Sequence, residues 1–264
     1  MSNYNFRNLH NGPDILLLPN AWDAGSARLI ESLGAKAIAT TSAGLSWSRG
    51  YPDGDTLPLE QLLSAVREIA RVIRVPLTID IEGGYSDDPA AVARVASGII
   101  ESGAVGINIE DGAGSPDLLC AKIEAAKESA ASSGVDLFIN VRTDVYLRGF
   151  AAGDEAVTEV VRRSELYRAA GCDGLFVPGV ADPASIKAVA EAIGPLPLNI
   201  MLVPDLPSLE VLKETGVRRL SSGAAIAQAA LATTSRLANG FLAGSWGEMF
   251  NASADYTMMN RLFV

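Results

Sequence analysis

The sequence is poor in histidine, lysine and cysteine. The first two shortages argue against particular kinds of catalytic site, and the third bears on the cellular compartment. His10 is the only histidine in 264 residues, which argues against a histidine-ligated zinc site and a Ser-His-Asp triad. The five lysines fall in predicted helices or at the start of a strand, where a Schiff-base lysine is not expected. Cys120 and Cys172 form no CxxC motif, so a reducing cytoplasm is the expected compartment.

Excess positive charge and long apolar runs are also missing. The net charge of −10 argues against a nucleic-acid partner, because phosphate binding needs a basic surface. No apolar run approaches the roughly 20 residues that cross a membrane, and MSNYNFRNLH lacks the apolar segment of a signal peptide. We therefore expect no membrane association, and a small molecule, such as a metal-chelated acid, as the ligand.

Short apolar runs alternate with longer helical runs along the whole chain. The predicted strands are Asp14–Leu18, Lys36–Thr41, Pro76–Ile81, Val105–Ile109, Leu137–Val141, Gly174–Val177, Leu198–Leu202 and Val217–Leu220. The predicted helices are Asp23–Leu33, Pro58–Ile73, Pro89–Ser102, Asp117–Ser132, Asp154–Ala170, Pro183–Ile193, Ser208–Thr215 and Ala224–Leu237. Eight such units favour a single α/β domain, a (β/α)8 TIM barrel over residues 1–264.

Two further features bear on this architecture. An open doubly wound sheet is the alternative, but no G-x-G-x-x-G follows the first strand. Residues 244–264 lie beyond the eighth unit and are predicted to form an extra C-terminal helix or arm.

Polar residues collect where the predicted strands end, which is the end at which barrel enzymes act. Side chains two apart on a strand share a face. Since the isoleucines of TIDIEGGY and GINIEDG must face the helices, Asp80, Glu82 and Glu110 face the barrel axis. The same reasoning directs Asn108 and Arg142 inward and Asp111 outward. The pattern therefore predicts three carboxylates and one guanidinium at a common site.

Three convergent carboxylates repel one another unless positive charge lies among them. A hard cation bound by oxygen ligands would offset more charge than Arg142 alone, which favours Mg²⁺ or Mn²⁺. Asp53, in the loop GYPDGD, is within reach of the same place. The alternative is a structural plug of ion pairs. The backbone amides of Ser42, Ala43, Gly44 and Leu45 are expected to cradle a carboxylate or phosphate.

Six stretches carry a family resemblance in conserved order. They are LLLPNAWDAGSARLIESLGAKAIATTSAGLSWSRGYPDGD, TIDIEGGYSDDP, GAVGINIEDG, FINVRTDVYL, GLFVPG and GPLPLNIM. The chain resembles the isocitrate lyase/phosphoenolpyruvate mutase superfamily, in particular its shorter phosphonomutase-like members. The resemblance implies a (β/α)8 barrel, Mg²⁺-dependent cleavage or rearrangement beside a 2-oxo acid, and homotetramers or dimers in which a C-terminal helix is exchanged.

The resemblance also implies roles for individual residues. Asp80 matches a direct metal ligand, and the acids that hold the metal through water match Asp53, Glu82 and Glu110. Aspartate is usual where Glu82 stands. Arg142 matches the arginine that binds the substrate carboxylate, and the oxo-acid loop matches Ser42, Ala43, Gly44 and Leu45. Asn199 falls near a substrate-binding asparagine.

Departures from the family pattern leave the reaction open. The Lys-x-Cys-Gly-His loop of the lyases is replaced by EDGAGSPDLLCAKIEAAKES, and Val177-Pro178-Gly179 stands where some members have histidine. The first hypothesis is a lyase that cleaves a C–C bond of a small 2-oxo or 2-hydroxy dicarboxylate through an enolpyruvate-like intermediate. The alternatives are P–C cleavage or rearrangement of a phosphonopyruvate-type substrate, and a non-catalytic 2-oxo acid binder.

Overall fold

The computed structural model describes residues 4–251 and 253–264, in which nine strands alternate with helices. The strands are β1 Leu16–Leu18, β2 Asn20–Ala21, β3 Ile38–Thr40, β4 Leu77–Asp80, β5 Gly106–Glu110, β6 Phe138–Arg142, β7 Gly174–Phe176, β8 Leu198–Met201 and β9 Val217–Ser221. The helices are α1 Tyr4–Leu9, α2 Ala24–Ser32, α3 Ser42–Ser48, α4 Leu59–Val72, α5 Pro89–Glu101, α6 Pro116–Ser132, α7 Gly153–Ala169, α8 Pro183–Ala192, α9 Leu209–Glu214, α10 Ala225–Leu242, α11 Gly247–Asn251 and α12 Tyr256–Arg261.

All strand pairs are parallel, in the order β1-β9-β8-β7-β6-β5-β4-β3-β2. In place of the first predicted strand the structure has two short strands, β1 and β2. They are separated at Pro19, which has no N–H to donate to a ladder. β1 pairs with β9, whereas β2 pairs with β3, so these two pieces bring the ends of the sheet together. The predicted (β/α)8 TIM barrel is therefore confirmed.

The predicted helices agree with the structure except near their ends. Capping aspartates begin several of them; Asp23 accepts from the Ser26 amide at 2.6 Å, and Asp88 from the Ala90 amide at 3.0 Å. The last predicted helix was too short, because α10 continues to Leu242. Helices α1 and α3 were not predicted. Within the described residues, no helix is both long enough and apolar enough to cross a bilayer.

The apolar core has one layer outside the barrel and one inside it. Ile79, Ile107 and Ile109 are fully buried between the strands and the surrounding helices. Helix α1 closes the other end of the barrel, where Phe6 meets Phe138 edge-on at 5.4 Å between ring centroids. Gly106 is required beside it, because an added Cβ would lie 2.8 Å from Phe6 Cε1. Polar side chains thus remain for the middle of the barrel and its open mouth.

An apolar groove of about 810 Å³ lies beside β1 and α2. Its lining includes Leu17 and Leu33, which are 47% and 80% exposed. Helix α10 buries only Ala227, although it follows the last barrel strand. Apolar side chains of α10 and the segment after it are also exposed, among them Phe241 and Trp246. One chain thus presents both an uncovered groove and an uncovered apolar helix.

We propose that two copies of the chain associate through these surfaces, with the C-terminal helices of one copy in the groove of the other. The chain mass is 27.6 kDa. Light scattering during size-exclusion chromatography is expected to give at least twice this mass. Leu33→Asp is expected to lower the measured mass, because the interface would bury the new charge. Leu209→Asp, on another exposed helix, serves as the control. A wild-type monomer at micromolar concentration would contradict the proposal.

Candidate active site

The three central strands end in charged residues at one end of the barrel. β4 ends at Asp80, β5 at Glu110 and β6 at Arg142. The register pairs Asp80 with Asn108, and Glu110 with Arg142. Adjacent parallel strands thereby bring these side chains together at the mouth, as the period of two predicts.

Arg142 is held by two carboxylates. Its Nη1 lies 2.6 Å from Glu110 Oε2, while Nε and Nη2 donate to Asp144 at 2.6 and 3.1 Å. Its guanidinium also lies over the Phe176 ring, 6.0 Å from the centroid. Burial raises the pKa of Glu110 to about 8 despite the opposing charge of Arg142. The guanidinium is therefore fixed in position before any ligand binds.

Among the described residues, the Asp80 carboxylate accepts hydrogen bonds only from backbone amides. Its Oδ2 accepts from the Ser42 amide at 3.4 Å, and its Oδ1 from the Glu82 amide at 3.3 Å. Burial raises its pKa, and the charge of Arg142 opposes this effect. A carboxylate with long hydrogen bonds and acids nearby fits a hard divalent cation, which binds oxygen ligands. Asp80 is thus the residue best placed to ligate Mg²⁺ or Mn²⁺ directly.

Glu82 turns toward the loop after α3. Its backbone has a φ of 53°, in the left-handed region. Oε2 accepts a hydrogen bond from the Asp55 amide, and Oε1 accepts one from the Tyr85 hydroxyl at 3.3 Å. Burial raises the pKa of Glu82 to about 7. Asp55 is therefore the loop residue in contact with this acid, while the predicted Asp53 lines the central cavity with Asp80.

Two cavities flank this group of charges. A central cavity of about 320 Å³ includes Asp53, Asp80, Asn108 and Arg142 in its lining. A side cavity of about 500 Å³ is lined by other residues, among them Glu82, Glu110, Asp55 and Lys122. The salt bridge between Arg142 and Glu110 lies between them.

The predicted site residues are divided by this arrangement. Ser42 and Ala43 line the central cavity, whereas Gly44 and Leu45 are buried behind it in α3. Asn199 is buried in the barrel and accepts a hydrogen bond from Asn140 at 2.9 Å. In residues 4–251 and 253–264, no three Asp, Glu, His or Cys side chains form a group that could hold a metal ion directly. The assignment of Asp80, Glu82 and Glu110 to one metal stays a prediction, for which Asp80 would be the direct ligand.

Two charged residues that contact the site were not among the predicted site residues. Arg219 is fully buried inside the barrel, although its neighbour Arg218 is exposed. Parity offered a signal, since Val217, Arg219 and Ser221 share one face of β9. Asp144, which orients Arg142, belongs to the NVRTDV stretch and follows the end of β6.

The central cavity is apolar on one side. Leu147, Phe176, Met201 and Leu202 come from three neighbouring strands and their loops, β6 to β8, and form what we call the apolar wall. Among the described residues that line this cavity, Arg142 is the sole basic side chain. A ligand would therefore have its charged end near Arg142 and Asp80, and its other end against hydrocarbon.

Comparison with known proteins identifies the family. The model of the phosphoenolpyruvate phosphomutase family matches residues 6–242. The chain belongs to this family. It is 35% identical to an uncharacterized protein of Mycobacterium tuberculosis over 98% of this chain and 96% of the relative. It is 30% identical to the oxaloacetate decarboxylase of Paraburkholderia xenovorans, over 71% of this chain and 64% of that enzyme.

A solved structure gives the same result. A protein from Burkholderia cenocepacia J2315, provisionally assigned as a phosphonomutase, matches with a TM-score of 0.85 and 38% identity. The match covers 90% of this chain and 99% of that one. This family member is therefore an enzyme of the isocitrate lyase/phosphoenolpyruvate mutase type.

The raised pKa values of Glu82 and Glu110 predict how the stability of this family member depends on pH. Both values lie above the ordinary 4.5, so the folded state holds more protons than the unfolded state up to about pH 8. The free energy of unfolding should therefore fall as pH rises, by roughly 2 kcal/mol between pH 6.5 and 8.5. Urea unfolding in a chelating buffer measures this change.

The lower limit of pH 6.5 keeps the contribution of His10 small, because burial lowers its pKa to about 3 and most of its effect on stability, which has the opposite sign, is complete by that pH. In this window Glu110→Gln is expected to remove most of the pH dependence. Stability that is constant or rises between pH 6.5 and 8.5 would show that these carboxyls are already ionised at neutral pH.

Proposed function

We propose that the chain is a divalent-cation-dependent lyase that cleaves the bond between C3, the carbon next to the 2-oxo group, and C4 of a small dicarboxylate, in the simplest case by decarboxylation. The observation that carries the proposal is the polarity of the central cavity. Its polar side holds Asp80 and Arg142, and its other side is the apolar wall.

The polar side suits the end of the substrate that keeps its charge. Arg142 is fixed by Glu110 and Asp144 and can donate to a carboxylate without reorganisation. Asp80 would hold Mg²⁺ or Mn²⁺, which would stabilise the charge that develops on the 2-oxo oxygen. The Ser42 amide and the Asp80 carboxylate fix the relative positions of α3 and β4 at this point.

The apolar wall suits the end of the substrate that leaves. Phe176 lies under the Arg142 guanidinium. A carboxylate facing Met201 and Leu202, at the end of the strand beyond it, would lose hydration without gaining a cation, whereas carbon dioxide is neutral and apolar. The electrons of the breaking C–C bond pass to the enolate, carbon dioxide departs, and a proton from solvent completes the 2-oxo acid product. The wall thus favours the products over the bound dicarboxylate.

The same observation argues against the alternative of P–C cleavage. A phosphonate at the far end would keep about two negative charges and require cationic partners there. The described lining of the central cavity supplies Arg142 alone, and that side chain already contacts two acids. We therefore place decarboxylation before phosphonate chemistry.

A substrate panel tests the proposal. Purified protein with Mg²⁺ would be incubated with oxaloacetate, substituted malates and phosphonopyruvate, and pyruvate and phosphate would be measured separately. We expect pyruvate from oxaloacetate and no phosphate from phosphonopyruvate. Phosphate release alone would establish P–C cleavage. Thermal stabilisation by 2-oxo acids without any product would establish a binding protein.

Adding a cation to the apolar wall tests its role. Leu202 is 49% exposed, so an arginine is accommodated there. In Leu202→Arg we expect a lower KM for oxaloacetate but a kcat reduced about tenfold or more, because the leaving carboxylate gains a partner that carbon dioxide cannot use. Leu209→Arg, on exposed α9, is the matched control. A kcat equal to that of the control would show that the apolar wall does not contribute to the reaction.

A further inference from the structure

A layer of buried polar side chains lies directly beneath the central cavity. Asn140 Nδ2 donates to Asn108 Oδ1 and to Asn199 Oδ1, each at 2.9 Å. Arg219 Nη2 donates to the same Asn108 oxygen at 3.1 Å. The layer joins β5, β6, β8 and β9 across the inside of the barrel.

The orientation of each amide in this layer follows from groups that cannot reverse their roles. Asn199 Nδ2 donates to the Ile200 carbonyl at 2.6 Å, so its Oδ1 must face Asn140. Asn140 then has to present its NH₂ group to both neighbours. Arg219 can only donate. Asn108 Oδ1 therefore accepts two hydrogen bonds and has no lone pair left for a metal or a ligand.

The free end of Asn108 is its NH₂ group. Asn108 lines the central cavity beside Asp80, its partner in the β4–β5 register. No acceptor among the described residues bonds to Asn108 Nδ2, and that atom is not among the fully buried ones. The layer thus presents a donor, already oriented, to whatever occupies the cavity.

Burying Arg219 to hold the Asn108 amide costs folding free energy. Its side chain is fully buried, and Nε and Nη1 have no hydrogen-bond partner in residues 4–251 and 253–264. Burial lowers its pKa to about 9, while the charge of Asp80 opposes this. A buried ion with incomplete hydrogen bonding generally destabilises a fold relative to an apolar residue of similar size. Its presence here is therefore better explained by the site above it than by stability.

We propose that Asn108 Nδ2 donates a hydrogen bond to an oxygen of the bound 2-oxo acid, and that Arg219 is the positioning residue that fixes this amide. The inference rests on the proposed function in one respect, that an acid binds in the central cavity. It assigns to Asn108 the recognition of that acid, independently of which bond is cleaved.

Oxalate, a planar dianion that resembles an enolate, is the probe. Its affinity for the Mn²⁺-loaded protein would be measured by calorimetry for wild type, Asn108→Ser and Asn108→Asp. The serine removes the donor, whereas the aspartate retains an oxygen for Arg219 and Asn140 but turns a second oxygen toward the cavity. We expect oxalate to bind about tenfold more weakly or worse to both variants. Thr215→Val, which removes a buried hydroxyl far from the cavity, is the control and should bind normally.

Substitutions of Arg219 distinguish a role in positioning Asn108 from a role in fold stability. Arg219→Met should leave the melting temperature unchanged or higher, because the buried charge is gone, yet weaken oxalate binding by about threefold or more. Arg219→Lys keeps a charged donor and should recover part of that affinity. Oxalate affinities within twofold of wild type in Asn108→Ser and Arg219→Met would overturn the inference, and so would a wild type that does not bind oxalate.

The outcome is distinguishable from failure of the proposed function. If wild type binds oxalate, the Asn108 variants do not, and no substrate of the panel is turned over, then the lyase proposal fails and the binding role of Asn108 stands. If wild type turns over oxaloacetate, and Asn108→Ser has an unchanged kcat/KM and an unchanged oxalate affinity, then the lyase proposal stands and the binding role of Asn108 fails.

Discussion

Asp80→Asn is expected to lower kcat/KM for the substrate by roughly 10²- to 10³-fold, because the amide is a poor ligand for a divalent cation. The loss should not come from unfolding. Burial already raises the pKa of Asp80, so the metal-free variant should be as stable as wild type or more so. Steady-state kinetics and thermal melts in a chelating buffer measure the two effects.

Asp14→Asn is the matched control. It makes the same chemical change at an exposed carboxylate, which pairs with Lys213 at the other end of the barrel. Its kinetics should equal those of wild type. If Asp80→Asn retained more than a tenth of wild-type kcat/KM, Asp80 would not be the direct metal ligand.

Asp111→Ala is expected to destabilise the fold by about 3–5 kcal/mol, the largest effect on stability that we predict. The Asp111 carboxylate is fully buried, and Arg163 donates to it at 2.8 Å, Tyr167 at 2.6 Å and the Asp144 amide at 2.9 Å. Removing it leaves the Tyr167 hydroxyl and the Asp144 amide without this acceptor, and leaves the buried Arg163 guanidinium with Glu159 alone. Urea unfolding at neutral pH measures the change.

The same variant should also disturb catalysis through Asp144. Asp111 holds the Asp144 backbone, and Asp144 orients Arg142. Glu191→Ala, which removes an exposed carboxylate 3.8 Å from Lys187, is the control and should change stability by less than about 1 kcal/mol. If Asp111→Ala costs no more than this control, the buried network does not support the site as described.

Local periodicity predicted the barrel and the inward direction of its mouth residues. Asp80, Asn108, Glu110 and Arg142 alternate with buried apolar residues, and alternation depends only on the strand itself. The same parity correctly directed Asp111 outward, where it meets α7. Strand ends were less predictable because hydrogen bonds between strands determine them.

Loop conformation and buried charge could not be predicted in the same way. Two acids of GYPDGD are separated by one glycine, and only the folded loop brings the amide of Asp55 to Glu82. Helix α3 contains serines and Gly44, which favour a loop interpretation. Gly44 is there because an added Cβ would lie 2.8 Å from Thr41 Cγ2. Arg219 was overlooked because arginine is rarely buried.

The most direct test of the central claim is the rate of pyruvate formation from oxaloacetate as Mg²⁺ is added back to metal-stripped protein. Buffer with the same Mg²⁺ concentration, and no protein, corrects for decarboxylation by the free ion. We predict a rate that rises with Mg²⁺, saturates, and is proportional to protein concentration. A rate equal to that of the protein-free solution at every Mg²⁺ concentration would contradict the proposed decarboxylase.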